Sequence, residues 1–164
     1  MIIKSLSRKR ASYDQLLAYI DTKAQPNFTI GHNVPYGVDM DVLCQYFENL
    51  VSHLPPRKNG NQLYHEIISL KISKNRSLEA YQRGLYTICQ SYIQARASDH
   101  AVYGKLHMEK HHLHVHLVMS PNTIGTPDKR VRFAKKEFSE LQQQLENWVL
   151  QSFPELGQQQ VYTQ

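Results

Sequence analysis

The chain has 164 residues, 41% of them apolar, with 19 Lys and Arg against 14 Asp and Glu. That is room for one domain with a real core and hardly for two, and it excludes a disordered chain. The basic excess raises the case for a polyanionic partner such as nucleic acid without establishing one, and no stretch is apolar for long enough to span a membrane.

Residues 1–5 (MIIKS) are short and partly β-branched and predict a first strand. After the basic turn SRKR, Ser12 can cap a helix over 13–23 with Leu16, Leu17 and Ile20 as its stripe. Residues 28–34 predict a weak second strand. Asp39 or Asp41 starts a helix over 40–53, and PPRKNGN (55–61) is a loop. YHEIISLKIS (64–73) predicts a strand, and Ser77 precedes a helix over 78–97. AVYGKLH (101–107) and LHVHLVM (113–119) are strand-like, and the short gap between them suits a hairpin. A last helix covers 134–152. The order β-α-β-α-β-α-β-β-α predicts an α+β fold: a mostly antiparallel sheet with helices packed on it. Residues 1–152 form the expected domain. Residues 153–164 are a polar tail, as in a domain cut from a longer protein.

Cys44 and Cys89 lie far apart with no CxxC pattern, so neither a zinc knuckle nor a disulfide framework is indicated. MIIKSLSRKR lacks the apolar core of a secretory signal. The expected location is the cytoplasm, with reduced thiols.

HMEKHHLHVH (107–116) holds five of the nine histidines. In a strand, residues two apart share a face, so His114 and His116 point the same way. Across a hairpin, His107 lies opposite that pair. Three neutral imidazoles converging on one point suit a divalent transition metal, and three protein ligands leave positions open for substrate. His111 and His112 sit in the turn. A histidine-rich surface strand without metal is the bland alternative. Two basic clusters, Arg8, Lys9 and Arg10, then Lys129, Arg130 and Arg132, can track phosphates, and Tyr103 or Phe133 can stack on bases. A solvated charged face is the bland alternative for each.

The run His107, Glu109, His114, Val115, His116 resembles the third motif of the HUH-type conjugative and mobilisation relaxases, single-strand endonucleases of plasmids, and in particular their P-type branch. Glu109 stands where that pattern has Asp. The first family motif, a tyrosine on or just after the first helix, matches Tyr19 in LAYID. The second, a serine on a central strand, matches Ser69 in YHEIISL. The resemblance spans about residues 1–120.

It implies an HUH-endonuclease-like fold and metal-dependent, site- and strand-specific nicking and rejoining of DNA at a plasmid transfer origin. A divalent ion, manganese or magnesium, held by His107, His114 and His116 polarises the scissile phosphate. Tyr19 attacks it and forms a 5′-phosphotyrosyl intermediate, because a tyrosine, unlike water, retains the nicked end. Tyr13 is the competing nucleophile. Glu109 orients a histidine or accepts the phenol proton, and Ser69 bonds a phosphate near the nick. The implied partners are single-stranded DNA of the transfer origin, accessory relaxosome proteins and a secretion coupling protein, with no membrane.

Rolling-circle replication initiators and single-strand transposases use similar residues, but their tyrosine usually follows the histidines, and here only Tyr162 does. A non-catalytic nucleic-acid-binding α+β module is the other reading; it has no use for three convergent imidazoles.

Overall fold

A computed structural model describes residues 1–163. Five strands, β1 (Ile2–Arg8), β2 (Thr29–His32), β3 (Leu63–Lys71), β4 (His100–Glu109) and β5 (His112–Thr123), form one sheet in the order β1-β3-β5-β4-β2. Every neighbouring pair is antiparallel. Four helices, α1 (Tyr13–Thr22), α2 (Met40–Ser52), α3 (Leu78–Ala97) and α4 (Lys135–Ser152), cover its two faces. The predicted element order and α+β class hold. The β4–β5 connection is tighter than expected: Lys110 and His111 alone form the turn, and His112 already belongs to β5.

Strand alternation divides the core in two. On β5, Leu113, Val115, Leu117 and Met119 point to one face, where they pack with Leu85, Ile88, Tyr92 and Ile93 of α3 and Leu145 and Val149 of α4. Gly104 on β4 belongs to this crowded layer, where a Cβ would stand 2.6 Å from Leu117 Cδ2. Burying these side chains supplies most of the drive to fold. The other face of β5 carries His114, His116 and Val118. There the core is smaller: Tyr13, Leu16, Leu17 and Ile20 of α1 and Leu43 and Phe47 of α2 pack against Leu63, Ala101, Tyr103 and Val118. That packing covers one half of the face and leaves the half around His114 open.

A buried ion pair ties the centre of the sheet to α3. Glu66 on β3 is fully buried and accepts two hydrogen bonds from Arg96, from Nε and Nη2, each at 3.1 Å. It also accepts the hydroxyls of Ser5 and Tyr92. The Arg96 guanidinium lies between the rings of Tyr64 and Phe133, 5.0 and 4.4 Å from their centroids. Phe133 is thereby engaged in the fold, not offered to a base, and Tyr103 is 9% exposed within the smaller core. The carboxylate is satisfied on both oxygens, which is what makes burying it tolerable.

Residues 153–163, polar in sequence, dock on the domain. Phe153 packs against the larger core, and Leu156 is buried in it. No helix among the described residues is long and apolar enough to cross a membrane.

Replacing Arg96 with Ala strips the partner from a buried carboxylate. Urea denaturation is expected to show a loss of about 3–5 kcal/mol; a loss below about 1 kcal/mol, the surface-pair range, would contradict this role for the pair.

Candidate active site

The register of the sheet gathers the histidines. His107 on β4 is the direct partner of His114 on β5, and Ser69 on β3 is its partner on the other side. His116 follows one step along the same face. The His107 and His116 rings are 4.4 Å apart between centroids, and those of His114 and His116 are 6.4 Å apart. Together with Ser69, Glu109, Lys4, Lys23 and Tyr19 they line an open cleft of about 620 Å³.

Helix α1 brings the tyrosine. Its buried stripe of Tyr13, Leu16, Leu17 and Ile20 fixes the rotation of the helix, and Tyr19 falls outside that stripe, 51% exposed. The Tyr19 ring stands edge-on to both His107 and His116, 5.8 Å from each centroid. A hydrogen bond fixes this approach: His107 Nε2–H donates to the Ile20 carbonyl at 2.6 Å. Ile20 lies in the last turn of α1, where carbonyls lack a partner within the helix. Tyr13, the competing nucleophile, is fully buried. Its ring stacks on Phe47 at 4.9 Å and its hydroxyl donates to the Gln62 carbonyl at 2.7 Å. Burial pushes its phenol well above the ordinary tyrosine range.

A fourth histidine, not singled out in the sequence, belongs to the cluster. His65 on β3 is buried, and its Nε2 lies 2.8 Å from His116 Nδ1, the rings stacked at 5.1 Å. Parity was the signal available: His65 is four residues before Ser69 on one strand and so shares its face. Burial, aided by the surrounding imidazoles, lowers His116 to about 3. Burial, then Arg8, lowers His65 to about 4. Both rings are therefore neutral at neutral pH, the state in which imidazole ligates metals.

The convergence expected from the sequence is incomplete. Among the described residues no three His, Cys, Asp or Glu side chains are arranged to hold a metal ion. The reason is local: His107 is turned toward Ile20, and His116 toward His65. The donor chemistry nonetheless fits a divalent ion. His114 Nε2 is buried with no hydrogen-bond partner. Glu109 Oε2 lies 3.4 Å from it, close enough to attract the ring but outside hydrogen-bond geometry. On His107 and His116 one ring nitrogen is held by a protein group, as ligating histidines commonly are.

The basic clusters lie elsewhere. Arg8 closes β1 opposite Leu63, at the far end of β3 from Ser69, about 20 Å along the strand. Arg8 Nη1 donates to Ser12 Oγ at 3.0 Å, and Lys9 donates to Asn61. Arg130 donates to the carbonyls of Asn61, from Nε at 3.1 Å, and Pro55, from Nη1 at 3.0 Å, so it serves to join loops. Arg10, Lys129 and Arg132 are exposed.

No family model and no curated protein matches the chain. Solved structures do. A protein studied as the molecular basis of vancomycin resistance transfer in Staphylococcus aureus aligns with a TM-score of 0.65 and 14% identity, over 99% of this chain and 96% of that one. The Mn-bound MobM relaxase domain on plasmid pMV158 oriT DNA aligns with a TM-score of 0.64 and 13% identity, over 93% and 86%. The metal-bound conjugative relaxase TrwC in complex with oriT DNA aligns with a TM-score of 0.61 and 12% identity, over 99% and 73%. At such identities the likeness lies in the fold, which this chain shares with the MobM and TrwC relaxase structures.

Proposed function

We propose that this chain is a DNA relaxase that nicks and rejoins one strand at a plasmid transfer origin, with Tyr19 as nucleophile. One observation carries the reading: an exposed tyrosine stands over two imidazoles of a histidine cluster, in an open cleft, on a relaxase fold. The relaxases of this fold were solved on oriT DNA, two of them with metal. The expected substrate is single-stranded DNA, and the expected location is the cytoplasm.

His107, His114 and His116 are the residues that would hold a divalent ion, manganese or magnesium. Such an ion, when bound, withdraws charge from the scissile phosphate. The rest falls to the chain's own groups. Helix α1 holds the Tyr19 phenol at the mouth of the cleft. Its oxygen attacks phosphorus, the bond to the 3′ oxygen breaks, and that oxygen leaves with the electron pair. The phenol gives up one proton to water and the departing 3′ oxygen takes one, so the step consumes none. The phosphotyrosyl bond keeps the strand end for the reverse reaction. Glu109 faces His114 and acts by orienting it. Ser69, at the register position of His114, suits a hydrogen bond to the phosphate. Arg10, Lys129 and Arg132 are the cations free to track the strand further away. Arg8, Lys9 and Arg130 serve the loops first.

The contact between His65 and His116 couples the tautomers of the two rings. With His116 Nδ1–H donating to His65 Nε2, His116 Nε2 keeps its lone pair for a ligand. In the opposite sense Nε2 carries the proton and cannot ligate. Replacing His65 with Leu should therefore weaken Mn²⁺ binding about ten- to a hundredfold in isothermal titration calorimetry; an unchanged affinity would refute the assignment.

The two tyrosines separate by stability. Tyr13→Phe leaves the Gln62 carbonyl without its donor and should cost about 1 kcal/mol, while Tyr19→Phe should leave the unfolding midpoint unchanged. Equal effects would contradict the placement of either residue.

The deciding experiment incubates the protein with Mn²⁺ or Mg²⁺ and labelled oligonucleotides tiled across the transfer origin of its own replicon, and looks for a denaturant-resistant protein–DNA adduct. The adduct should form in the wild type and vanish in Tyr19→Phe and on chelation. An adduct that survives Tyr19→Phe would move the nucleophile to a histidine. Tight binding with no adduct would favour the non-catalytic module.

A further inference from the structure

The histidine cleft does not end at Ser69. Ile2, Ser69 and His112 are also walls of a second cleft, of about 350 Å³, which continues past the end of β3. Its far wall is the polar segment after α4, and that wall is built. The Gln158 side chain pairs with the Lys71 backbone as a strand would, donating from Nε2 to the carbonyl at 2.8 Å and accepting the N–H on Oε1 at 3.1 Å. The buried Glu146 carboxylate accepts the N–H groups of Val161, Tyr162 and Thr163, each at 2.8 Å. The Tyr162 hydroxyl accepts the Ile3 N–H at 2.9 Å.

The lining of this cleft is of two kinds. Tyr81, Leu156 and Val161 are apolar, and Lys71 and Arg76 are cationic. Arg76 lies against Gly157, whose φ is +61° and whose missing Cβ would sit 3.4 Å from Arg76 Nη2. Among the described residues neither cation has a carboxylate partner, and no Asp or Glu lines the cleft. An apolar surface beside unpaired cations suits a nucleotide, its base on the first and its phosphate on the second.

We propose that the second cleft seats the nucleotide adjoining the scissile phosphate on the single strand. This rests on the relaxase reading above. The shared wall supplies the continuity: a strand whose phosphate lies at Ser69 and the histidines enters the second cleft with its next residue. The terminal segment is then part of the substrate site.

The test is fluorescence anisotropy of the whole chain with oligonucleotides spanning the nick, and with the same oligonucleotides shortened on one side or the other. The double variant Lys71→Ala/Arg76→Ala removes two exposed side chains; the Lys71 backbone still holds Gln158. It should lose about tenfold in affinity for the spanning strand, and nothing for strands shortened on the side that enters the cleft. Ser73→Trp, which fills the cleft without removing charge, should give the same one-sided loss. Equal losses on every strand, or none, would overturn the proposal. If the wild type forms its adduct and both variants bind like it, the second cleft alone falls. If the variants show the one-sided loss although the wild type forms no adduct, the cleft stands and the catalytic reading falls. If it binds no single-stranded DNA, both fall.

Discussion

Everything at this site depends on the parity of three adjacent strands. His107, His114, His116, Ser69 and His65 share a face because β4, β5 and β3 pair in one particular register, His107 with His114 and His114 with Ser69. A slip of β5 by one residue would turn His114 and His116 toward α3 and α4 and bring Val115 and Leu117 out to the cleft. The two-residue turn at Lys110 and His111 leaves no slack for such a slip. The larger core opposes it as well, because Leu113, Val115, Leu117 and Met119 would all lose their burial together. The apolar residues interleaved among the histidines therefore hold the register that the histidines need.

The same alternation explains the neighbours His65 and Glu66. The first points to the cleft and contacts His116; the second points to α3 and closes on Arg96 and Tyr92. One short stretch of β3 thus carries a polar network on each side. The network on the α3 side is complete, with both carboxylate oxygens satisfied. The network on the cleft side is not: His114 Nε2 is buried without a partner. A fold that satisfies one buried polar cluster fully and leaves an atom of the other without a partner gives up stability at the place where a ligand can recover it.

Much of this was legible in the sequence, for physical reasons. The period of the apolar residues marked the four α-helices, because each had one face to bury, while β1 and β2 were read from β-branched content and the short helix Pro154–Leu156 was missed. The pair His114 and His116 was legible because strand alternation is strict. His65 was legible only through its parity with Ser69, since nothing else in YHEIISLK distinguishes a histidine aimed at the cleft from one aimed at solvent. Arg96 was equally hidden, one of two arginines in an otherwise ordinary helix, its partner 30 residues away. The basic clusters carry engagements that composition does not show. Lys9 and Arg130 sit in loops whose ends meet at Asn61, and closing those loops uses the donors that composition alone assigns to phosphate.

The tyrosine and the histidines are also mechanically joined. Tyr19 precedes Ile20, and the Ile20 carbonyl accepts the His107 Nε2 proton. That bond satisfies a carbonyl the helix end cannot satisfy itself, and it fixes the His107 tautomer with the lone pair on Nδ1. The end of α1 therefore cannot move without moving an imidazole, and an imidazole cannot turn without releasing a helix carbonyl. The buried stripe of Leu16, Leu17 and Ile20 holds the same helix from below. On the proposal that Tyr19 is the nucleophile, this tether lets the sheet set its approach, and such positioning would lower the barrier of an attack that a free phenol makes poorly.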